Sequence, residues 1–237
     1  MKNEDLFFNP FRLISPKLDK EVSRLHEIYD SPPKGITILE EGLLIMMNKI
    51  MEMTKIIRKS IASYDPLGIE KCDQLAKEIH SEEGSLTTKL ANESAKEPND
   101  IHKTIILFPG RLDRVAHHLQ AMANLCRAKC GDKISFSDIA TSELDNLLKL
   151  FQISLNSFHD ALVSQSISML EKVVALDRQI NQLTLDYSMS HEERLCTGVC
   201  PPGASPLYLD ILDDIRLASG RLCEMSERLL RLTFSQN

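Results

Sequence analysis

Ile36, Leu39, Leu43, Met46, Ile50, Met53, Ile57 and Ile61 recur at three- and four-residue steps for about seven helical turns. A face that long and that apolar cannot be buried by a turn or a loop. It has to lie against other helices of similar length. Five further runs repeat the pattern. The second spans about 67–92, with Ile69, Ala76, Ile79, Leu86 and Leu90 inward; the third carries Ile101, Ile105, Phe108, Leu112, Val115, Leu119 and Met122. Leu144, Leu147, Leu148, Phe151, Leu155, Phe158 and Leu162 mark the fourth, and Ile167, Leu170, Val174, Ile180, Leu183 and Tyr187 the fifth. The sixth runs from Leu207 to Thr233 with Leu212, Ile215, Leu222, Met225 and Leu229 inward. No stretch alternates with the two-residue period of a strand. The expected fold is all-α: six long helices forming two tandem three-helix bundle units.

The punctuation agrees. Asp65-Pro66 ends the first run, Glu97-Pro98-Asn99-Asp100 separates the second from the third, and Gly131 stops the third before Ser137 caps the fourth. Cys196-Thr197-Gly198-Val199-Cys200-Pro201-Pro202-Gly203 is a rigid loop before the sixth. Pro109 falls inside the third pattern, so that helix either kinks there or begins there. Residues 1–35 differ in kind: Leu6-Phe7-Phe8-Asn9-Pro10-Phe11 is aromatic and broken by proline, and Ser31-Pro32-Pro33-Lys34-Gly35 interrupts the chain. The expected organisation is an arm and linker over 1–35, a first unit over 36–131 and a second over 132–237. The arm either packs on its own bundle or presents an apolar tip to a partner or membrane surface.

Composition removes several function classes. With 237 residues and 43% hydrophobic content, the chain can bury one large core or two modest ones. A formal charge of −6 argues against nucleic-acid binding, since no basic stripe is evident to displace counterions. No apolar run approaches the ~20 residues a membrane span needs. Glu4 and Asp5 precede the N-terminal apolar patch, unlike a secretory leader, so a cytoplasmic location is expected.

The chemistry-bearing residues sit on or beside the seams. Asp113 and His117 form an i,i+4 pair, able to chelate a metal or to serve as a surface ion pair. A related stretch, Leu212-Asp213-Asp214-Ile215-Arg216-Leu217, follows about 100 residues later. Asp73 interrupts the second seam as Asp177 interrupts the fifth, and Glu83 also falls on the second seam. A carboxylate on a core seam must be paired, hydrogen-bonded or coordinated, because burying it bare is costly. Pairing Asp73 with Asp177 and Asp113 with Asp213 gives offsets of 104 and 100, so the chain reads as two copies of one helical unit.

This plan resembles the PhoU-like phosphate-transport regulators. Their third and sixth helices carry an acidic element in a pattern close to Leu-Glu-Arg-Ile-Gly-Asp-His-Ala. Leu112-Asp113-Arg114-Val115-Ala116-His117-His118-Leu119 fits it, with Asp113 at the first acid and His117 in place of the second. The later copy keeps Asp213 and has Leu217 in place of its second acid. The resemblance covers about 36–234. It implies a non-enzymatic regulator or accessory protein of phosphate transport, often a homodimer, that binds a membrane phosphate transporter or its sensor kinase, in the cytoplasm or peripheral to the inner membrane. Some members bind iron or zinc through the acidic motifs. Leu217 cannot ligate, so a second site here would draw on Asp210 and Asp214, another i,i+4 pair. Imidazole at His117 suits zinc or iron better than magnesium.

The metal candidates are thus Asp73, Asp113, His117, Asp177, Asp210, Asp213 and Asp214. Cys126/Cys130 and Cys196/Cys200 form two four-residue-spaced pairs that could supply thiolate ligands, although nothing in the sequence brings them together, and Cys72 and Cys223 read as core. They leave open a second function class, a metal- or redox-responsive bundle unrelated to phosphate. Catalysis has little to stand on. Phe108-Pro109-Gly110-Arg111 is no phosphate loop, and the Glu-x-x-His motif of di-iron bundles is absent.

Overall fold

In the computed structural model, residues 34–96 and 100–234 are described, and among them there are helices and no strands. The chain divides into two compact units, Met1–Ile38 and Leu39–Asn237. Of the first, only the opening turn of α1 (Lys34–Ala62) is described. The N-terminal aromatic segment expected to act as an arm lies outside the described residues.

In the second unit, α2 (Pro66–Lys96) returns beside α1, and a short α3 (Asp100–Ile105) leads into α4 (Phe108–Gly131). Then come α5 (Asp138–Ser164), α6 (Ile167–Cys196), a single 3-10 turn at Pro202–Ala204, and α7 (Ser205–Phe234). The two readings of Pro109 are resolved: the third helical run breaks after Ile105, and α4 begins at Phe108 with the proline in its first turn. There the missing N–H costs nothing and the fixed φ favours the helix. Ser137 caps α5 as expected, its hydroxyl accepting from the Ala140 N–H at 3.2 Å. Gly131 is simply the last residue of α4; the chain reverses two residues later, where Lys133 holds φ 54°.

Neighbouring long helices run antiparallel. The α1–α2 hairpin is pinned by Lys49 to Glu78 and Glu82, and by the Cys72 thiol donating to the Met53 carbonyl. Near the far end of that hairpin the helices come very close: a Cβ on Gly42 would meet Leu86 Cδ1 at 2.8 Å. This glycine makes room for the tip of the Leu86 side chain, which would have to shift to admit a β-carbon. The second half repeats the scheme through Asn146–Tyr187 between α5 and α6 and through Asp177–Ser219 between α6 and α7.

One hydrophobic core serves both halves. It joins Met46, Ile50, Met53 and Ile57 of α1 with Leu112, Leu119 and Met122 of α4, Phe151 and Phe158 of α5, and Leu212, Ile215 and Met225 of α7. Burying each such side chain contributes about 1.5–3 kcal/mol before the entropy of ordering is subtracted. Where their side chains are described, the apolar seams read from the sequence are buried almost throughout; α6 is the exception. Its core residues include Val173 and Leu176, while Ile167 is 42% exposed and Val174 only partly covered.

Candidate functional site

Residues of the acidic motifs and the seam acids lie on or beside α4 and α7, which pack antiparallel across the middle of the molecule. Asp113 on α4 faces α2, where His80 Nδ1 lies 3.3 and 3.4 Å from its two carboxylate oxygens. His80 is itself largely exposed. His117, one turn beyond Asp113, is exposed and lies edge-on to His118, with ring centroids 6.2 Å apart. The next residue, His118, does reach the other half: its Nδ1 sits 2.9 Å from Asp214 Oδ1, each side chain 17% exposed.

The seam acids are satisfied by protein groups. Asp73 accepts from Gln120 Nε2 at 3.3 Å and from Arg127 Nη2 at 2.6 Å. Asp177 accepts from the Ser219 hydroxyl at 2.7 Å and the Asn181 amide at 3.1 Å. Both sit at the edge of their seams, because Cys72 and Leu176 one residue earlier take the inward position. Asp213 pairs locally with Arg216, and Asp210 is exposed. Because α4 and α7 are antiparallel, Asp113 and Asp213 lie at different levels of their interface rather than side by side.

Among the described residues, no three His, Cys, Asp or Glu side chains converge. A resident zinc or iron centre needs three or four converging donors. Asp73, Asp113, His117, Asp177, Asp210, Asp213 and Asp214 are distributed over separate contacts, several beside guanidinium or amide donors. This arrangement does not fit such a centre. The two cysteine pairs stay apart as well: in each, one thiol is buried (Cys126, Cys200) and one exposed (Cys130, Cys196), and all six cysteines are free. Burial raises the Cys72 thiol to about 12 and the Cys126 thiol to about 11, which keeps both protonated.

A denser polar cluster ties the ends of the second half together. Arg194 near the end of α6 grips Glu143 of α5 with two bonds of 3.0 and 2.7 Å, side chains 13% and 12% exposed. The Tyr208 hydroxyl of α7 donates to the same carboxylate at 2.5 Å. His191 lies against the Tyr208 ring, centroids 4.6 Å apart, and its Nε2 is 2.8 Å from Ser205 Oγ. Burial pushes the His191 imidazole down, with the Arg194 charge adding to it, while burial and the Glu143 bond push the Tyr208 hydroxyl up. Glu143 also borders an open groove of about 580 Å³ that includes Asp138, Asp145, Asn146, Lys149 and Tyr187.

A third cluster is basic. Arg111 of α4 and Arg221 of α7 share the carboxylate of Glu224, at 3.4 and 2.9 Å, with Arg114 and Arg228 alongside. No basic stripe is visible along the sequence because these residues are spread over two helices 110 positions apart (Arg111 to Arg221). Their three-residue and seven-residue spacings within each helix were the available signal. Glu143, Arg194 and Tyr208 had no comparable signal, since each lies on a different helix.

Solved structures share this architecture. The phosphate transport system regulatory protein PhoU from Streptococcus pneumoniae superposes with a TM-score of 0.74, covering 84% of this chain and 94% of its own at 17% identity. PhoU from Pseudomonas aeruginosa gives 0.75, covering 85% and 98% at 11% identity. The chain has a PhoU-like fold. The likeness lies in the backbone arrangement: no protein-family model matches the chain, and no curated protein matches it in sequence. The resemblance drawn from the degraded motifs is met at the level of the fold. What the PhoU-like fold keeps here is two antiparallel three-helix halves meeting along α4 and α7. Of the acids on those helices, Asp113, Asp214 and Asp213 are engaged by His80, His118 and Arg216.

Proposed function

We propose that this protein is a non-enzymatic regulator or accessory protein of phosphate transport that acts by binding a membrane phosphate transporter or its signalling kinase. The observation that carries the reading is the superposition on two PhoU structures, one of them a phosphate transport system regulatory protein, over 84% and 85% of this chain. The polar clusters support it: the seam acids Asp73 and Asp177 are engaged in holding helices together, as suits a scaffold presenting surfaces more than a reaction centre. No described helix is long and apolar enough to cross a membrane, so contact with a transporter would be made from outside the bilayer. On this reading the protein works in the cytoplasm, peripheral to the inner membrane when engaged, and as a homodimer.

Affinity purification of the tagged full chain from crosslinked, phosphate-replete cells tests the proposal. A phosphate permease subunit or its sensor kinase should be the enriched membrane partner. Recovery of the protein alone, with no transport component above an untagged control, would contradict it.

A further inference from the structure

Arg111 and Arg114 are three residues apart on α4, and Arg221, Glu224 and Arg228 fall at i, i+3 and i+7 on α7, so each set shares a helix face. The antiparallel α4–α7 packing sets these faces together. Glu224 spans Arg111 at 3.4 Å and Arg221 at 2.9 Å, and it is the only carboxylate paired with either among the described residues. Arg114 and Arg228 have no hydrogen bond or ion pair among the described residues. Their charges reach Arg111 all the same. Burial pushes its guanidinium below the ordinary value, Glu224 opposes this, and Arg228, Arg221 and Arg114 push the same way as burial. Four guanidinium groups around one carboxylate leave a local excess of three positive charges on a chain of formal charge −6.

The donors carry a second mark. The Nε atoms of Arg111 and Arg221 are buried and have no acceptor. A buried donor left unpaired is destabilising, so an acceptor that reached it would be retained. A guanidinium fork uses Nε and Nη together to grip a planar or tetrahedral oxyanion through two parallel bonds. Glu224 takes an Nη of each arginine and leaves both Nε groups over.

We propose that Arg111, Arg114, Arg221 and Arg228 form a binding site for a phosphate-class oxyanion at the α4–α7 interface, with Glu224 as its internal competitor. A tetrahedral dianion matches the charge excess better than a monoanion. It also offers enough oxygens to engage several of the four guanidinium groups. Free inorganic phosphate supplies that dianion, while the phosphodiester of an anionic lipid headgroup presents the same tetrahedral oxygens with one negative charge. The site goes beyond the regulator reading and does not depend on it, since it would bind whether or not the chain meets a transporter.

The test is calorimetric titration of the full chain with inorganic phosphate, against chloride at matched ionic strength. Saturable binding to phosphate is expected, weakened at least tenfold in an Arg111→Gln/Arg221→Gln variant and strengthened by Glu224→Gln. Circular dichroism checks each variant. Should the double variant unfold, Arg114→Gln/Arg228→Gln, drawn from the less enclosed side of the cluster, carries the same expectation of weakened binding. Sedimentation with phosphatidylglycerol vesicles against phosphatidylcholine vesicles separates the two sources. Vesicle binding lost in the arginine variants and not displaced by free phosphate assigns the site to headgroups, whereas saturable binding of free phosphate assigns it to the ion. Heats equal to those of chloride together with no preference for phosphatidylglycerol would overturn the proposal. Phosphate binding unchanged in folded arginine variants would overturn it equally.

Discussion

The two halves of the bundle solve one problem in different ways. Each places an aspartate beside the seam of its middle helix, and each must give that charge a partner. In the first half Asp73 is matched by a cation, Arg127, and an amide, Gln120, with the Arg127 side chain 46% exposed. In the second half Asp177 is held by neutral donors alone among its hydrogen-bond partners, Ser219 and Asn181. The most enclosed ion pair of that half lies elsewhere, at Glu143–Arg194, where both groups are largely out of solvent. A repeated helical plan therefore fixes which positions are apolar and leaves open how the polar positions are satisfied.

The common part of the comparison should show the largest effect. Leu112 and Leu212 occupy matching positions in the two motifs and are 0% and 1% exposed. Replacing either with alanine should cost about 3 kcal/mol, by lost transfer energy plus the cavity left behind. Urea unfolding would show it, and a cost confined to one of the two would break the equivalence of the halves.

The polar contacts should then separate them. Glu143→Ala strands Arg194 and the Tyr208 hydroxyl without their shared acceptor, and a loss of about 3 kcal/mol is expected. Arg127→Ala removes a half-exposed ion pair and should cost under about 1 kcal/mol. Equal costs in the same unfolding assay would erase the contrast.

Acidity sharpens it further. The buried His191 is held neutral by burial and by Arg194, so its folded-state affinity for protons is below that of the unfolded chain. The unfolded state therefore binds more protons as pH falls through about 6.5. Stability is complete above that pH and declines below it, until the folded imidazole also titrates. The urea midpoint should drop between pH 7.5 and 5.5, and a folded His191→Gln variant should show a shallower drop. An identical pH profile in that variant would place the sensitivity outside this cluster.

The smallest effect concerns the thiols, where the halves should behave alike. Exposed Cys130 and Cys196 should react with a maleimide in the native protein, while Cys72, Cys126 and Cys200 should wait for denaturation. Mass spectrometry of the labelled peptides would show a difference between the halves if either pair departs from this pattern.

The fold was legible because burial follows a period the sequence displays. Leu144 to Phe158 and Phe108 to Met122 are buried where their spacing puts them. The α6 seam was displaced because Ile167, Val174, Leu183 and Tyr187 offered one plausible stripe, whereas packing against α5 and α7 selects Val173 and Leu176. The candidate site was legible only as a set of positions. Asp113 meets His80 and Asp214 meets His118 across helices, and no periodicity along one strand of sequence encodes a contact between two. The arginine cluster was hidden for the same reason, its charges cancelled in the net −6 of the whole chain.

The most direct measurement of the central claim is phosphate-starvation reporter activity, with phosphate uptake, in a strain lacking the gene and grown in abundant phosphate. A regulator of phosphate transport predicts that the reporter or the uptake rate departs from wild type and returns when the full chain is restored. Wild-type reporter output and wild-type uptake in the deletion strain, in both abundant and limiting phosphate, would contradict the account.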